Sequence, residues 1–334
     1  MPILKVPSLL IDLGHVGENG LPLNPAVWFQ RELELCREWG FRLKIADERV
    51  RLEFDQDQLV PYWIEQETPA MAWPLLRVNS YFTTHSTNTE ALAMARKGAP
   101  SGTLVTTEEQ TAGKGRCGRS WSSNAKKGLY FTVVLRPLQD LQFWPLLTHV
   151  ASVALVETLK ELQALNVIPK MPDIDLKWPN DVLISGRKCA GILLEAATEG
   201  STQAAVVGVG INFRPGSVPE PLAAVATCLD EMAGATVPRR KVLVSFLKNF
   251  QECFAIFEQG KFAELLDRWK SHSSMWKDTH VWITEGNERR NAITCGLNEM
   301  GALMVRMADG RVETVYAADV SVSKAEESQD FHTQ

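Results

Sequence analysis

The chain has 334 residues, a formal net charge of −5, 45% hydrophobic residues and 22% charged residues, which fits a globular protein of about two or three domains. With no basic excess it is not built as a general nucleic-acid or anionic-membrane binder, so any anionic ligand must be held by local basic groups. Its six cysteines and six histidines form no CxxC or HExxH cluster, which argues against structural zinc and a disulfide framework and favours a reducing compartment.

The start, MPILKVPSLLIDLG, lacks the apolar core and cleavage site of a signal peptide. No apolar run approaches the roughly 18 residues of a spanning helix. The expected location is the cytoplasm. Residues 1–69 read as a small N-terminal domain. Within it Pro25 to Trp39 is predicted as a helix stopped by Gly40, and 41–54 as a hairpin. Two prolines between Glu65 and Pro74 mark a linker.

Residues 70–273 mix strands and helices. A helix follows Ser86-Thr87-Asn88, any of which could cap it, and closes at Gly98. LVTTEEQ and GLYFTVVLRP read as strands, 143–164 as a helix and DIDLKW as a strand. GRKCAGILLEAAT and QAAVVGVGINF read as two strands joined by the turn EGST, and 239–270 as helical with a break at Gly260. Residues 274–324 carry short strands with turns at Glu285-Gly286-Asn287 and Asp309-Gly310, the spacing of a small β-barrel. Residues 325–334 form a polar tail expected to be disordered.

Two constellations carry chemistry. In QTAGKGRCGRSW, from Gln110 to Trp121, Gly113, Gly115 and Gly118 alternate with Lys114, Arg116 and Arg119. Glycines let successive backbone N–H groups form an anion-binding nest, and the cations add charge-assisted bonds to phosphate oxygens. The loop could also be merely solvated, or bind RNA, but its place between two apolar strands favours a positioned site. It is not a Walker A loop. The GVGIN of Gly208 to Asn212 ends a strand instead of opening a helix, so it is not a dinucleotide fingerprint. The second constellation is KWPND, Lys177 to Asp181, followed by GRKCAGILLE to Glu195. Asn180 and Asp181 fit a tight turn, where such residues often bond only their own backbone. Lys188, at the mouth of an apolar strand, needs an anionic partner.

STN, QTAGKGRCGRSW, KWPND, RKCAGILLE and GVGIN occur in the order found in biotin–protein ligases, and the chain resembles that family over about residues 80–213, with weaker agreement through GLNEMGALMV. The resemblance implies an α+β fold: a mixed sheet flanked by helices, as in class II synthetases, with a C-terminal SH3-like barrel. It implies that Ser86, Thr87, Asn88 and Gln110 contact biotin while Gly113, Lys114 and Arg116 close over it. Lys188 would bridge the biotin carboxylate and the α-phosphate of ATP, and Gly191 and Gly208 would let the backbone approach the adenylate. Arg119, Trp121, Asn180 and Asn212 fall on the nucleotide side. Lys188, Arg116 and Asp181 make up the catalytic set, with Asp181 a candidate base for the incoming amine. The implied cofactors are ATP and Mg²⁺, with no metal-ligand cluster in the protein. The implied partner is the biotin carboxyl carrier protein of acetyl-CoA carboxylase, and a homodimer would extend the sheet. Lys114 stands where arginine is common, which keeps the charge and loses the planar fork. A lipoate–protein ligase is the rival of the same fold.

Some family members are also operon repressors with an N-terminal winged helix. Residues 24–52 resemble the recognition-helix and wing half of such a domain, but Gly14, Gly17, Gly20 and Pro22 argue against the earlier helices. Residues 1–69 hold seven basic groups against twelve acidic ones, an excess equal to the whole net charge. DNA binding is therefore not expected, because phosphate contacts need a basic footprint.

Overall fold

A computed structural model describes residues 4–5, 8–53, 55, 57–68, 77–198, 203–285, 288–316 and 320–324. The EGST turn, the glycine and asparagine after Glu285, the second half of the expected linker and the polar tail lie outside the described residues.

The elements in chain order begin with β1 (Leu4–Lys5), α1 (Ser8–Val16), β2 (Leu21–Pro22), α2 (Val27–Glu38), β3 (Leu43–Ala46), β4 (Arg49–Leu52) and α3 (Pro61–Glu67). Next come β5 (Arg77–Thr84), α4 (Thr87–Arg96), β6 (Thr103–Gln110), β7 (Gly128–Leu135), α5 (Leu146–Ala164), β8 (Ile174–Lys177), β9 (Asp181–Ile184), β10 (Arg187–Ala197) and β11 (Ala204–Asn212). The chain continues through α6 (Leu229–Ala233), α7 (Arg239–Glu258), α8 (Phe262–Ser271), β12 (Lys277–Glu285), β13 (Glu288–Leu297), β14 (Leu303–Met307), β15 (Val312–Val315) and β16 (Val320–Lys324).

Eight strands form the main sheet in the order β1-β5-β6-β7-β11-β10-β9-β8. Only the β5–β6 pair is parallel, so the sheet is mixed, as the resemblance implies. Strand alternation divides its two faces. Phe131, Val133, Ile192, Val207, Val209 and Ile211 point to one side and pack with Val150, Ala154, Phe246 and Phe250 of α5 and α7. Val105, Val134 and Val206 point to the other, where Ala91, Leu92 and Ala95 of α4 cover them. Helix α4 covers only part of that second face. The uncovered part, beyond its N-terminus, holds the site.

The N-terminal segment forms a three-stranded sheet, β2-β4-β3. Asp47 and Glu48, both left-handed at φ 54° and 55°, make its hairpin turn. Leu9, Leu13, Phe29, Leu33 and Val50 fill the space between α1, α2 and this sheet. The expectation that the glycines would prevent an earlier helix is corrected. Helix α1 runs through Gly14, where a Cβ would stand 3.0 Å from Tyr62 Cβ, so the glycine permits close packing on α3. A single helix nevertheless separates β2 from β3, where a helix-turn-helix needs two.

The C-terminal strands form an antiparallel sheet in the order β15-β14-β13-β12-β16 that fits an SH3-like domain. It is fixed to the main body at Gly301, whose carbonyl accepts the indole N–H of buried Trp178 at 3.0 Å. Beneath the same turn lies buried His149 of α5. Burial pushes its imidazole down to about 4, so the folded state holds it neutral while the unfolded chain takes up a proton near the ordinary value of about 6.5. The sign follows: its contribution to stability is complete above about pH 6.5 and is lost as the pH falls towards 4, roughly 3 kcal/mol in all. Urea unfolding of the native chain and of His149→Asn at pH 7 and pH 4.5 is expected to show a smaller acid loss in the variant. Equal losses would remove His149 from the account. No described helix is long and apolar enough to cross a membrane.

Candidate active site

The site is built on glycines that face one another across strands. Gly191 of β10 pairs with Gly210 of β11, and Gly208 pairs with Leu193 on one side and Thr132 on the other. The indole of Trp121 packs against the first pair: a Cβ on Gly191 or Gly210 would stand 2.9 or 2.8 Å from its ring atoms. At Gly208 the space is taken by Asn88, whose Oδ1 would be 2.1 Å from a Cβ. Asn88 donates to Leu193 O at 3.2 Å and to Glu195 Oε2 at 2.8 Å, and its Oδ1 accepts from the Thr132 hydroxyl at 2.7 Å. The first turn of α4 is thus bolted to the sheet.

Capping of α4 differs from expectation. Ser86 occupies the N-cap position without a side-chain capping bond. Gln110, at the end of β6, does that work: its Oε1 accepts the Thr87 backbone N–H at 2.9 Å and lies 3.2 Å from Thr87 Oγ1. Its Nε2 donates to Ser123 Oγ at 2.8 Å. Gly113 lies just behind, with its carbonyl accepting from Trp121 N at 2.9 Å and no room for a Cβ beside Trp121 O.

From there the glycine loop folds back on itself. Lys114 bridges to Ser120, Gly115 N–H donates to Arg119 O at 2.7 Å, and Cys117 and Gly118 turn through positive φ. Arg116 reaches across the cavity to Asn180 Oδ1 at 3.2 Å. Asn180 follows the cis Trp178–Pro179 bond and is itself fixed to Ile192 by its Nδ2 (2.8 Å) and its backbone carbonyl (2.9 Å). Asn180 lies in the tight turn, and Asp181 closes it by pairing with Lys177 as the first residue of β9.

Lys188 depends on a bulge. The register between β9 and β10 shifts between Lys188 and Ala190, so Cys189 is an extra residue. Cys189 and Ala190 both turn into the core, and Lys188 emerges on the same face as Gly191. Its Nζ lies 2.6 Å from Asp181 Oδ1 and 5.2 Å from the centre of the Trp121 ring. Its backbone clamps the segment after β11, through Lys188 N to Val225 O and Thr227 N to Lys188 O, both 2.9 Å.

Two cavities share this wall. One, of about 340 Å³, runs from the N-terminus of α4 to the loop and is lined by Lys114, Arg116, Arg119, Lys177 and Lys188 against a single carboxylate, Asp181. In an acidic chain, five cations about one cavity identify it as a place for an anion. The other, of about 720 Å³, begins at the same Lys188, Asp181 and Trp121 and extends over Asn212 to an apolar wall of Val218, Leu222 and Val225. Ser86, Thr87, Asn88, Gln110, Lys114, Arg116, Arg119, Trp121, Asn180, Asp181, Lys188, Gly191 and Gly208 all line the first cavity; Asn212 lines only the second, and Gly113 backs the first.

Residues 80–212 match the model of the biotin/lipoate A/B protein ligase family. The chain is 34% identical over 242 residues to the biotin–[acetyl-CoA-carboxylase] ligase of Paracoccus denitrificans, covering 71% of this chain and 97% of that one. This chain belongs to the biotin–protein ligase family. The ligase is also 29% identical over 299 residues to the bifunctional ligase/repressor BirA of Bacillus subtilis, over 87% of this chain and 85% of the relative. In fold it matches the biotin protein ligase from Aquifex aeolicus solved with biotin and ATP, with a TM-score of 0.62 and 27% identity over 74% of this chain and 99% of that one.

Some of the ligase's site-forming residues escaped sequence reasoning. Glu195, which holds Asn88 and lies 3.9 Å from Lys114 Nζ, shares the face of Gly191 by simple alternation and could have been found that way. The apolar wall of Val218, Leu222 and Val225 has no periodicity to announce it.

Proposed function

We propose that the ligase joins biotin to ATP, giving biotinyl-5′-AMP and pyrophosphate, and then transfers the biotinyl group to a lysine of a biotin carboxyl carrier protein. The observation that carries this reading is Lys188, which with Lys177 and Arg119 lies on the wall common to a cation-lined cavity and a larger, partly apolar one. Biotin fits the first cavity, with its carboxylate towards Lys188, and the nucleoside fits the second. In the first step a carboxylate oxygen attacks the α-phosphorus and pyrophosphate leaves. Such phosphoryl chemistry needs positioning and charge neutralisation above all. Lys188, Arg116, Arg119 and Lys114 supply them. In the second step the carrier amine attacks the acyl carbon and AMP leaves. Asp181 holds Lys188 in place before the substrates arrive, and it is the carboxylate at hand for the proton of the amine.

Among the described residues there is no group of three His, Cys, Asp or Glu side chains able to hold a metal. Mg²⁺ therefore fits as a companion of the nucleotide, bound mainly by phosphate oxygens and water. It would neutralise charge on the leaving pyrophosphate.

Incubating the chain with ATP, Mg²⁺, biotin and an apo carrier domain should add one biotinyl group to one carrier lysine, read by mass. A carrier left unmodified, or one modified only when lipoate replaces biotin, would overturn the assignment. Gly208→Ala tests the biotin side. The added methyl meets Asn88 Oδ1, and overpacking of this kind costs about 1–3 kcal/mol. The KM for biotin is expected to rise about tenfold while the KM for ATP moves far less. Equal rises in both would place Gly208 outside the biotin subsite.

For the N-terminal segment we propose a structural role and no operator binding. Helix α2 starts with exposed Val27 and Trp28 where a DNA reader needs polar or basic side chains, and one helix of the pair is missing. A salt-dependent gel shift on a biotin-operon promoter, requiring biotin and ATP, would reverse this.

A further inference from the structure

Asp57 stands between β4 and α3, far in sequence from every motif of the site. Its carboxylate accepts from Arg214 through Oδ1, and from Arg239 through Nε at 3.1 Å and the backbone N at 3.2 Å. Arg239, at the start of α7 and only 3% exposed, also grips Glu108 at 2.6 and 3.2 Å and donates to Gly128 O at 3.0 Å. Arg214 places its other nitrogen 2.6 Å from Asp230. Three carboxylates and two guanidinium groups thus tie the N-terminal segment to β6, α6, α7 and the turn that follows β11.

That turn forms the nucleotide side of the cavity pair. Arg214 comes two residues after Asn212; its carbonyl accepts Ser217 N–H at 3.0 Å, and Asn124 holds Gly216 O at 2.8 Å. Ser217, Val218 and Pro219 then wall the larger cavity. A guanidinium held on one edge can still swing about the bond to its partner, whereas one held on two edges is fixed in its plane. Asp230 supplies one of these edges and Asp57 the other.

We propose that Asp57 is a positioning residue for the nucleotide: through Arg214 it sets the turn 213–218 that walls the larger cavity, so the N-terminal segment is a working part of the ligase. The proposal rests on the ATP-dependent reading above. It predicts that Asp57→Ala weakens nucleotide binding and leaves biotin binding alone.

The test compares Asp57→Ala, Arg214→Ala and the double variant with the full-length native chain. KM values for ATP and for biotin come from biotin-dependent pyrophosphate exchange, and ATP affinity is measured directly by calorimetry. Asp57→Ala is expected to raise the KM and Kd for ATP about tenfold, the size of effect a small misplacement can have, with the biotin KM unchanged. In the Arg214→Ala background it should add nothing further. Glu67→Gln is the control. It removes another link between the N-terminal segment and α7, the 3.0 Å pair with Arg240, without touching the turn; it is expected to lower the melting temperature and leave ATP affinity unchanged. Should Asp57→Ala not fold, Asp57→Asn, of the same shape, carries the test. A native chain without exchange would sink the function itself, and calorimetry would still judge the turn. An active native chain whose Asp57 variants bind ATP normally, or lose biotin and ATP affinity alike, would overturn the positioning role.

Discussion

Lys188→Ala is expected to reduce biotin-dependent pyrophosphate exchange on the order of 10²–10³-fold, the usual loss when one preorganised charge-stabilising group is removed. The ammonium is held between Asp181 and the face of Trp121, half-buried, on the wall common to both cavities. Its removal leaves Asp181 as a lone carboxylate facing two anionic substrates, so the loss has two parts: an attraction gone and a repulsion uncovered. Lys188→Ala/Asp181→Asn should therefore recover part of the activity lost by the single variant, which no purely structural role for the lysine would produce. Near-normal exchange by Lys188→Ala would remove it from the reaction.

The second large effect is one of retention. Arg116 spans the cavity from the glycine loop to Asn180, which is itself pinned to β10. In Arg116→Gly the loop keeps its backbone bridge between Lys114 and Ser120 but loses this strap. Hydrogen bonds to charged groups contribute about 1.5–3 kcal/mol, so escape of the adenylate should quicken by roughly ten- to a hundredfold. Biotinyl-adenylate is a mixed anhydride and acylates amines wherever it meets them; a closed, dry site prevents that. Free adenylate in the filtrate, and biotin on added serum albumin, are the expected readouts. A variant that labelled only the carrier would show that the strap does not retain the intermediate.

Much of the architecture was legible because strands advertise themselves by alternation and helices by caps. Gly40, Gly98 and Gly260 all fall in left-handed turns at helix ends, and the strands around the glycine loop stand where the apolar runs place them. What was not legible depended on events that leave no periodic trace. The bulge at Cys189 turns Lys188 to the open face, and nothing in RKCAG distinguishes an extra residue from a regular one. Gln110 caps a helix that precedes it by more than a dozen residues, a contact created only when β6 lies beside β5. The glycines at 14, 17 and 20 mimicked a loop because one of them serves packing and the other two serve the turn that follows α1. The network about Asp57 joins residues up to 182 positions apart, and no local pattern reports it.

The kink in β10 has a practical corollary. Which side of the sheet carries the reactive cation is set by parity, by how many residues separate Lys188 from Gly191, and not by any side chain in between. Cys189 could be exchanged for another small apolar residue with little consequence. Its loss from the chain altogether would straighten the ladder and leave Lys188 two positions from Gly191, still on the open face, whereas an added residue that kept the bulge would send the lysine inward among the phenylalanines of α7. In this stretch an added codon is more dangerous than a missing or a misread one.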